Sequence, residues 1–141
     1  MRVLILAAAV AGVLCTAAPV SADPGPAPAR SYAPPFIDHT QWVQWSQGSS
    51  LRVYPTAAGR ATSKQRGSPS PEADEGWAEV LTLTPQAATP GMREQFFCHW
   101  DFAETAQPGK TSWNLEPWRP VVDAATMVNT GCNPGGGREP F

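Results

Sequence analysis

Apolar positions along the chain follow two periodicities, and each implies a different local structure. Met92, Phe96, Trp100 and Ala103 fall on one helical stripe. Thr89 as N-cap and Pro90 at the first helical position predict where that helix starts, and it should run to about Thr105, before Gln107-Pro108-Gly109. Trp77, Val80, Leu81 and Thr84 repeat the spacing, with Asp74 as the expected cap and Pro85 as the stop, although the β-branched run VLTLT also suits a strand. Asp123 is placed to cap a third, short helix through Val128. Phe36 to Trp45 (FIDHTQWVQW) and Leu51 to Tyr54 alternate with period two around the turn-forming cluster Ser46 to Ser50, which predicts a β-hairpin. Phe36 and Trp42 lie on one parity and Ile37, Val43 and Trp45 on the other, so the first strand is expected to be covered, at least in part, on both faces. Lys110 to Leu115 suits a further short strand, and Pro117 and Pro120 then impose an extended bend.

Together these elements predict an α+β fold: one small domain over residues 36–141, an antiparallel hairpin-based sheet packed by two or three helices. Residues 56–71 carry Arg60, Lys64 and Arg66, no acid and no large apolar side chain, so they are expected to form a flexible basic loop. The acids that follow, Glu72, Asp74, Glu75 and Glu79, are placed to attract that loop weakly. Ahead of the domain, residues 23–35 hold five prolines among Gly and Ala, the composition of an extended, flexible leader.

Residues 1–22 change the picture. Met1-Arg2, an apolar run from Val3 to Ala18 and the slim residues Val20-Ser21-Ala22 form a signal peptide, with cleavage expected after Ala22. The run is shorter than the roughly 20 residues that span a bilayer. Export to the cell envelope or the medium is the expected localisation, with no transmembrane segment in the mature chain. Cys15 then leaves with the signal. Cys98 and Cys132 remain, and a pair in a small exported domain most often forms one disulfide, two free buried thiols being the alternative. Cys98 sits about 160° around the helix from Phe96, so a bridge staples that second face to the tail.

Composition narrows the function classes. Of 141 residues 42% are hydrophobic and only 16% charged, with 16 Pro, 12 Gly and 6 Trp. The chain is too short for a multidomain enzyme and too uncharged for a coiled coil. A formal net charge of −2 and a pI near 5.6 give no basic field for nucleic acid. No nucleophile elbow, phosphate loop, dinucleotide fingerprint or zinc helix is found, so no metal and no cofactor is expected.

Three places still hold candidate chemistry. Asp38 and His39 set a carboxylate beside an imidazole, but strand alternation turns them to opposite faces, so His39 would need another acid across the sheet to serve as a base. On the central helix a bridged Cys98 removes any Cys–His nucleophile, and His99 reads as a packing residue. Lys110 to Pro120 is the densest stretch: Trp113 and Trp118 stand among Asn114, Glu116 and Arg119 between prolines. Indoles beside fixed polar groups suit a sugar or a peptide, although at least one of the two is expected in the core.

Asp38-His39-Thr40-x-Trp42, Leu51 to Thr56, Cys98-His99, Lys110 to Pro120 and Gly131-Cys132-Asn133-Pro134 together resemble a family of small secreted actinobacterial proteins catalogued as a domain of unknown function. The resemblance spans about Phe36 to Pro134. It implies export, Cys98–Cys132 pairing and a mycobacterial or related source, and brings no activity or catalytic residues. The leading expectation is a non-enzymatic, secreted or envelope-associated module that binds a protein, peptide or glycan of the envelope through exposed aromatics. A small hydrolase using His39 with Asp38, Glu116 or Asp101, and an envelope structural protein without a ligand, are the alternatives.

Overall fold

The computed structural model describes residues 25, 32–65 and 70–137. The residues expected to form a signal peptide, most of those expected to form a leader, and the C-terminal four residues lie outside them. The element order is β1 (Ile37–Trp45), β2 (Gly48–Pro55), α1 (Ala57–Ser63), α2 (Pro71–Leu83), a 3-10 turn (Pro85–Ala87), α3 (Met92–Ala106), β3 (Trp113–Leu115) and α4 (Ala124–Asn129). The strands form one antiparallel sheet in the order β1-β2-β3, so the α+β expectation holds, with one more helix than expected.

The hairpin closes through Ser46-Gln47, with Trp45 opposite Gly48, so the second strand starts three residues earlier than its alternation suggests. Trp42 pairs with Leu51 and Thr40 with Val53, and β3 adds Leu115 opposite Leu51 and Trp113 opposite Val53. Opposed residues share a face. Leu51, Val53, Trp113 and Leu115 therefore make the inner face, and all four are fully buried against the helices. β1 is an edge strand, as is β3, and it is not covered on both faces as its two-parity pattern implies. Phe36 and Ile37 are buried at its start, whereas Trp42 is 40% exposed. The pattern misleads because those apolar residues sit at the rim, where the helical layer reaches only the first part of the strand.

The stretch expected to be a basic loop starts with helix α1. Thr56 caps it, its hydroxyl accepting from the Gly59 N–H at 3.0 Å. Gly59 lets the helix lie on the hairpin: a Cβ there would stand 2.2 Å from the Phe36 carbonyl oxygen. Its basic residues turn to α3 and not to the acids of α2. Arg60 pairs with the buried Glu104 and reaches the Thr111 carbonyl at 3.2 Å, and Lys64 lies 3.8 Å from Glu104.

α2 begins earlier than its apolar stripe suggests, capped by Ser70 with Pro71 in the first turn. Asp74 is not the cap; it lies in the first turn and pairs with Arg93 at 2.8 Å. α3 starts two residues after Pro90, where Gly91 takes φ 84°, a left-handed conformation that disfavours a Cβ. Trp77, Phe96, Trp100 and Trp113 meet with Phe36 in an aromatic core, ring centroids 5.6–6.0 Å apart. A smaller core lies behind α3. There Cys98 and Cys132 form a disulfide with Cα atoms 5.6 Å apart, packed with Met127 of α4.

Candidate functional site

Between the second face of α3, the turn that follows it, β3 and the disulfide-held tail lies a cleft of about 270 Å³. α3 supplies His99 and an apolar wall of Phe102, Ala103 and Ala106: its long stripe faces the core and leaves His99, Phe102 and Ala106 on the flank, with Ala103 at the stripe's margin. Gln107 and Lys110 come from the turn, Asn114 and Glu116 from β3 and its end, and Asn133 from the tail beside Cys132.

His99 is 4% exposed, and its Nε2 lies 3.0 Å from the Asn114 carbonyl oxygen. That carbonyl only accepts, so Nε2 carries the proton and Nδ1 is the lone-pair nitrogen. Burial is the main cause that lowers its pKa from 6.5 to about 4, and the Lys110 cation adds to it. The Asn114 hydrogen bond opposes the shift and Arg119 contributes in the same direction as Lys110. The ring is therefore neutral at physiological pH, in a cleft where both charges acting on it are cationic.

The walls are held by polar contacts. Gln95 brackets Glu116, its Nε2 donating to the Glu116 carbonyl at 3.0 Å while its Oε1 accepts from the Glu116 N–H at 2.9 Å. The Glu116 carboxylate accepts from Nε of Arg119. The buried Arg119 guanidinium then donates to the carbonyls of Pro134, Gly136 and Gly137 at 3.0, 2.8 and 3.0 Å. An arginine fork with one acid and three carbonyls is well satisfied in a dry site. It fixes the tail that, with the disulfide, forms one side of the cleft.

The five candidate ligand-binding residues thus separate. Asn114 and Glu116 line the cleft. Trp113 is wholly buried in the aromatic core, and its indole N–H has no acceptor among the described residues. Arg119 anchors the tail. Trp118 stacks near the Arg119 guanidinium, 4.5 Å from its ring centre, and covers Gly48, where a Cβ would stand 2.5 Å from the indole. His99, Phe102, Gln107, Lys110 and Asn133 were not singled out as ligand-binding by the sequence. A sequence signal exists for two of them, His99 and Asn133, each of which follows a cysteine of the bridge; Phe102, Gln107 and Lys110 carry none.

Asp38 and His39 do pair, against the alternation argument: Oδ2 and Nδ1 are 2.6 Å apart. The register shifts between Ile37 and His39, and such a bulge breaks the strict inside–outside order that argument assumes. His39 also stacks on Tyr54, centroids 4.0 Å apart. Both partners are more than half exposed, away from the cleft. Among the described residues no group of three or more His, Cys, Asp or Glu is arranged to hold a metal, and no helix is long and apolar enough to cross a membrane.

Residues 37–135 match the family described as "Protein of unknown function (DUF2599)". The chain belongs to this family. The matched segment runs from the first residue of β1 through the tail, so the sheet, the cleft and both cysteines all lie inside it. Similar members include the uncharacterized protein Rv0477 of Mycobacterium tuberculosis, 51% identical over 150 aligned positions that cover all of both chains. The uncharacterized protein ML2452 of Mycobacterium leprae is 50% identical over 105 residues, 74% of this chain and 83% of that one. No solved structure matches.

Proposed function

We propose that the protein is exported to the cell envelope or the medium and works there as a binding module, its ligand seated in the cleft beside the disulfide. The observation that carries this reading is the cleft itself: one apolar wall, Phe102 to Ala106, faced by convergent polar groups from three other segments. The groups that would do covalent chemistry there are engaged otherwise. Both sulfurs are in the bridge and Glu116 is neutralised by Arg119, while the neutral His99 offers the lone pair of Nδ1 as a hydrogen-bond acceptor. Such groups orient a ligand by hydrogen bonds. A glycan fragment or a peptide segment of the envelope has the matching mixture of flat apolar and hydrogen-bonding surface.

The test is a chemical-shift titration of the protein with envelope glycan fragments and peptides. We expect perturbations grouped on His99, Phe102, Lys110 and Asn133, abolished by Ala106→Trp, which fills the cleft from a solvent-exposed position. Perturbations that survive Ala106→Trp, or none with any fraction, refute the cleft as the ligand site.

A second reading, a small hydrolase, has one observation in its favour. Asp38 orients His39 through Nδ1, the arrangement in which an acid prepares an imidazole to act as a base at Nε2. Ester or glycoside hydrolysis by the purified protein, lost in His39→Ala, is the result this reading requires.

A further inference from the structure

We infer that the free edge of β1 is a self-recognition surface, on which two copies of the chain join their sheets antiparallel about a two-fold axis at Trp42. Among the described residues β1 has β2 as its one strand neighbour, and at nine residues it is the longest strand. The two-residue turn makes Trp45 and Gly48 the closing, hydrogen-bonded pair. Alternation from that pair turns the N–H and C=O groups of Thr40, Trp42 and Gln44 away from β2.

Exposed edges are ordinarily blunted by charge, proline, bulges or a covering group. Here those devices sit at the strand's beginning only. Glu79 of α2 accepts from the N–H groups of Phe36 and Ile37 at 2.8 and 2.7 Å, and the bulge follows at once. From Thr40 to Trp45 the sequence TQWVQW has no charge, no proline and no glycine.

The segment is complementary to itself. With Trp42 opposite Trp42 of the second copy, Thr40 meets Gln44, Gln41 meets Val43 and His39 meets Trp45. Every residue with outward backbone groups then meets another of the same kind, and no charged side chain faces its own copy. The helix side of the edge adds apolar area: Trp42 is 40% exposed, and Leu83 is 48% exposed next to Thr84, whose hydroxyl bonds to that of Thr40 at 2.6 Å. An isologous joint of this kind gives a continuous six-stranded sheet with both helical layers on one face.

The experiment is sedimentation velocity on the purified, disulfide-bonded protein over a concentration series, with Trp42→Lys and Gln44→Pro as variants. Dimer formation by the parent, and a shift to monomer in both variants with circular dichroism unchanged, is the expected result. Directly opposed hydrogen-bonded residues have Cα atoms about 5.5 Å apart, within disulfide reach, so Trp42→Cys should cross-link under oxidation and Val43→Cys should not. That readout decides the matter even where Gln44→Pro disturbs the hairpin. A parent that is monomeric at every concentration, a dimer indifferent to Trp42→Lys, equal cross-linking at both cysteines, or a complex whose mass contains a different polypeptide would each overturn the inference.

Discussion

His99 shows most directly what a single side chain owes to its surroundings. Its pKa falls to about 4 in the folded chain, against 6.5 in a solvated one. An unfolded chain thus binds a proton between those values where the folded one does not, so stability rises with pH across that window. The stabilisation is complete above pH 6.5 and is lost as pH falls toward 4, an acid slope worth on the order of 3 kcal/mol. Urea denaturation at a series of pH values should show that slope, and His99→Gln, which keeps a donor for the Asn114 carbonyl but cannot titrate, should flatten it. An identical slope in the variant would mean the ring is not held neutral by the fold. Sequence alone marked His99 as a packing residue, which its burial bears out. Its place on the cleft wall depends on Asn114 and Lys110, which approach it from beyond the end of α3.

At the level of elements, legibility tracked the size of the side chains. α3 was readable because Met92, Phe96 and Trp100 mark its buried stripe with large groups, and the hairpin because two alternating segments flank a turn-forming cluster, although that pattern misplaced the start of β2 and the cover of β1. α1 was hidden. Its residues are small or cationic, and the signals that make it are one hydroxyl at Thr56 and one missing Cβ at Gly59. Helix propensity alone predicts that Gly59→Ala stabilises an exposed helix by about 0.5–1 kcal/mol. The 2.2 Å approach to the Phe36 carbonyl oxygen predicts the opposite sign, since backbone cannot give way without moving β1. We expect a net loss of about 1–3 kcal/mol, read as a lower denaturation midpoint. A raised midpoint would show that α1 does not sit against the hairpin. The bulge at Asp38 was equally invisible, because the displaced strand residue is an ordinary one, and with it went the Asp38–His39 pair.

For the molecule as a whole, the disulfide behind α3 matters more than its size suggests. The Cys98–Cys132 bridge closes a loop of 34 residues in sequence separation, which the chain-entropy account values at about 3.5–4 kcal/mol. The double variant Cys98→Ser/Cys132→Ser should lose roughly that amount in thermal or urea unfolding. Because Cys132 and Asn133 form one wall of the cleft, amide exchange should quicken from Met127 to Asn133 while β1 and β2 keep their protection. Uniform loss of protection would instead make the bridge a support for the whole fold. The sequence showed the bridge through its cysteine arithmetic. The cleft lay beyond reach, since its lining comes from four separated segments.

The buried Arg119 carries a consequence for how the molecule matures. Its guanidinium gathers the tail from Pro134 to Gly137 by hydrogen bonds that do not require oxidation. Those contacts are expected to hold Cys132 near Cys98 while the thiols are still reduced, so Arg119→Ala should slow closure of the bridge, read as free-thiol content against time during refolding.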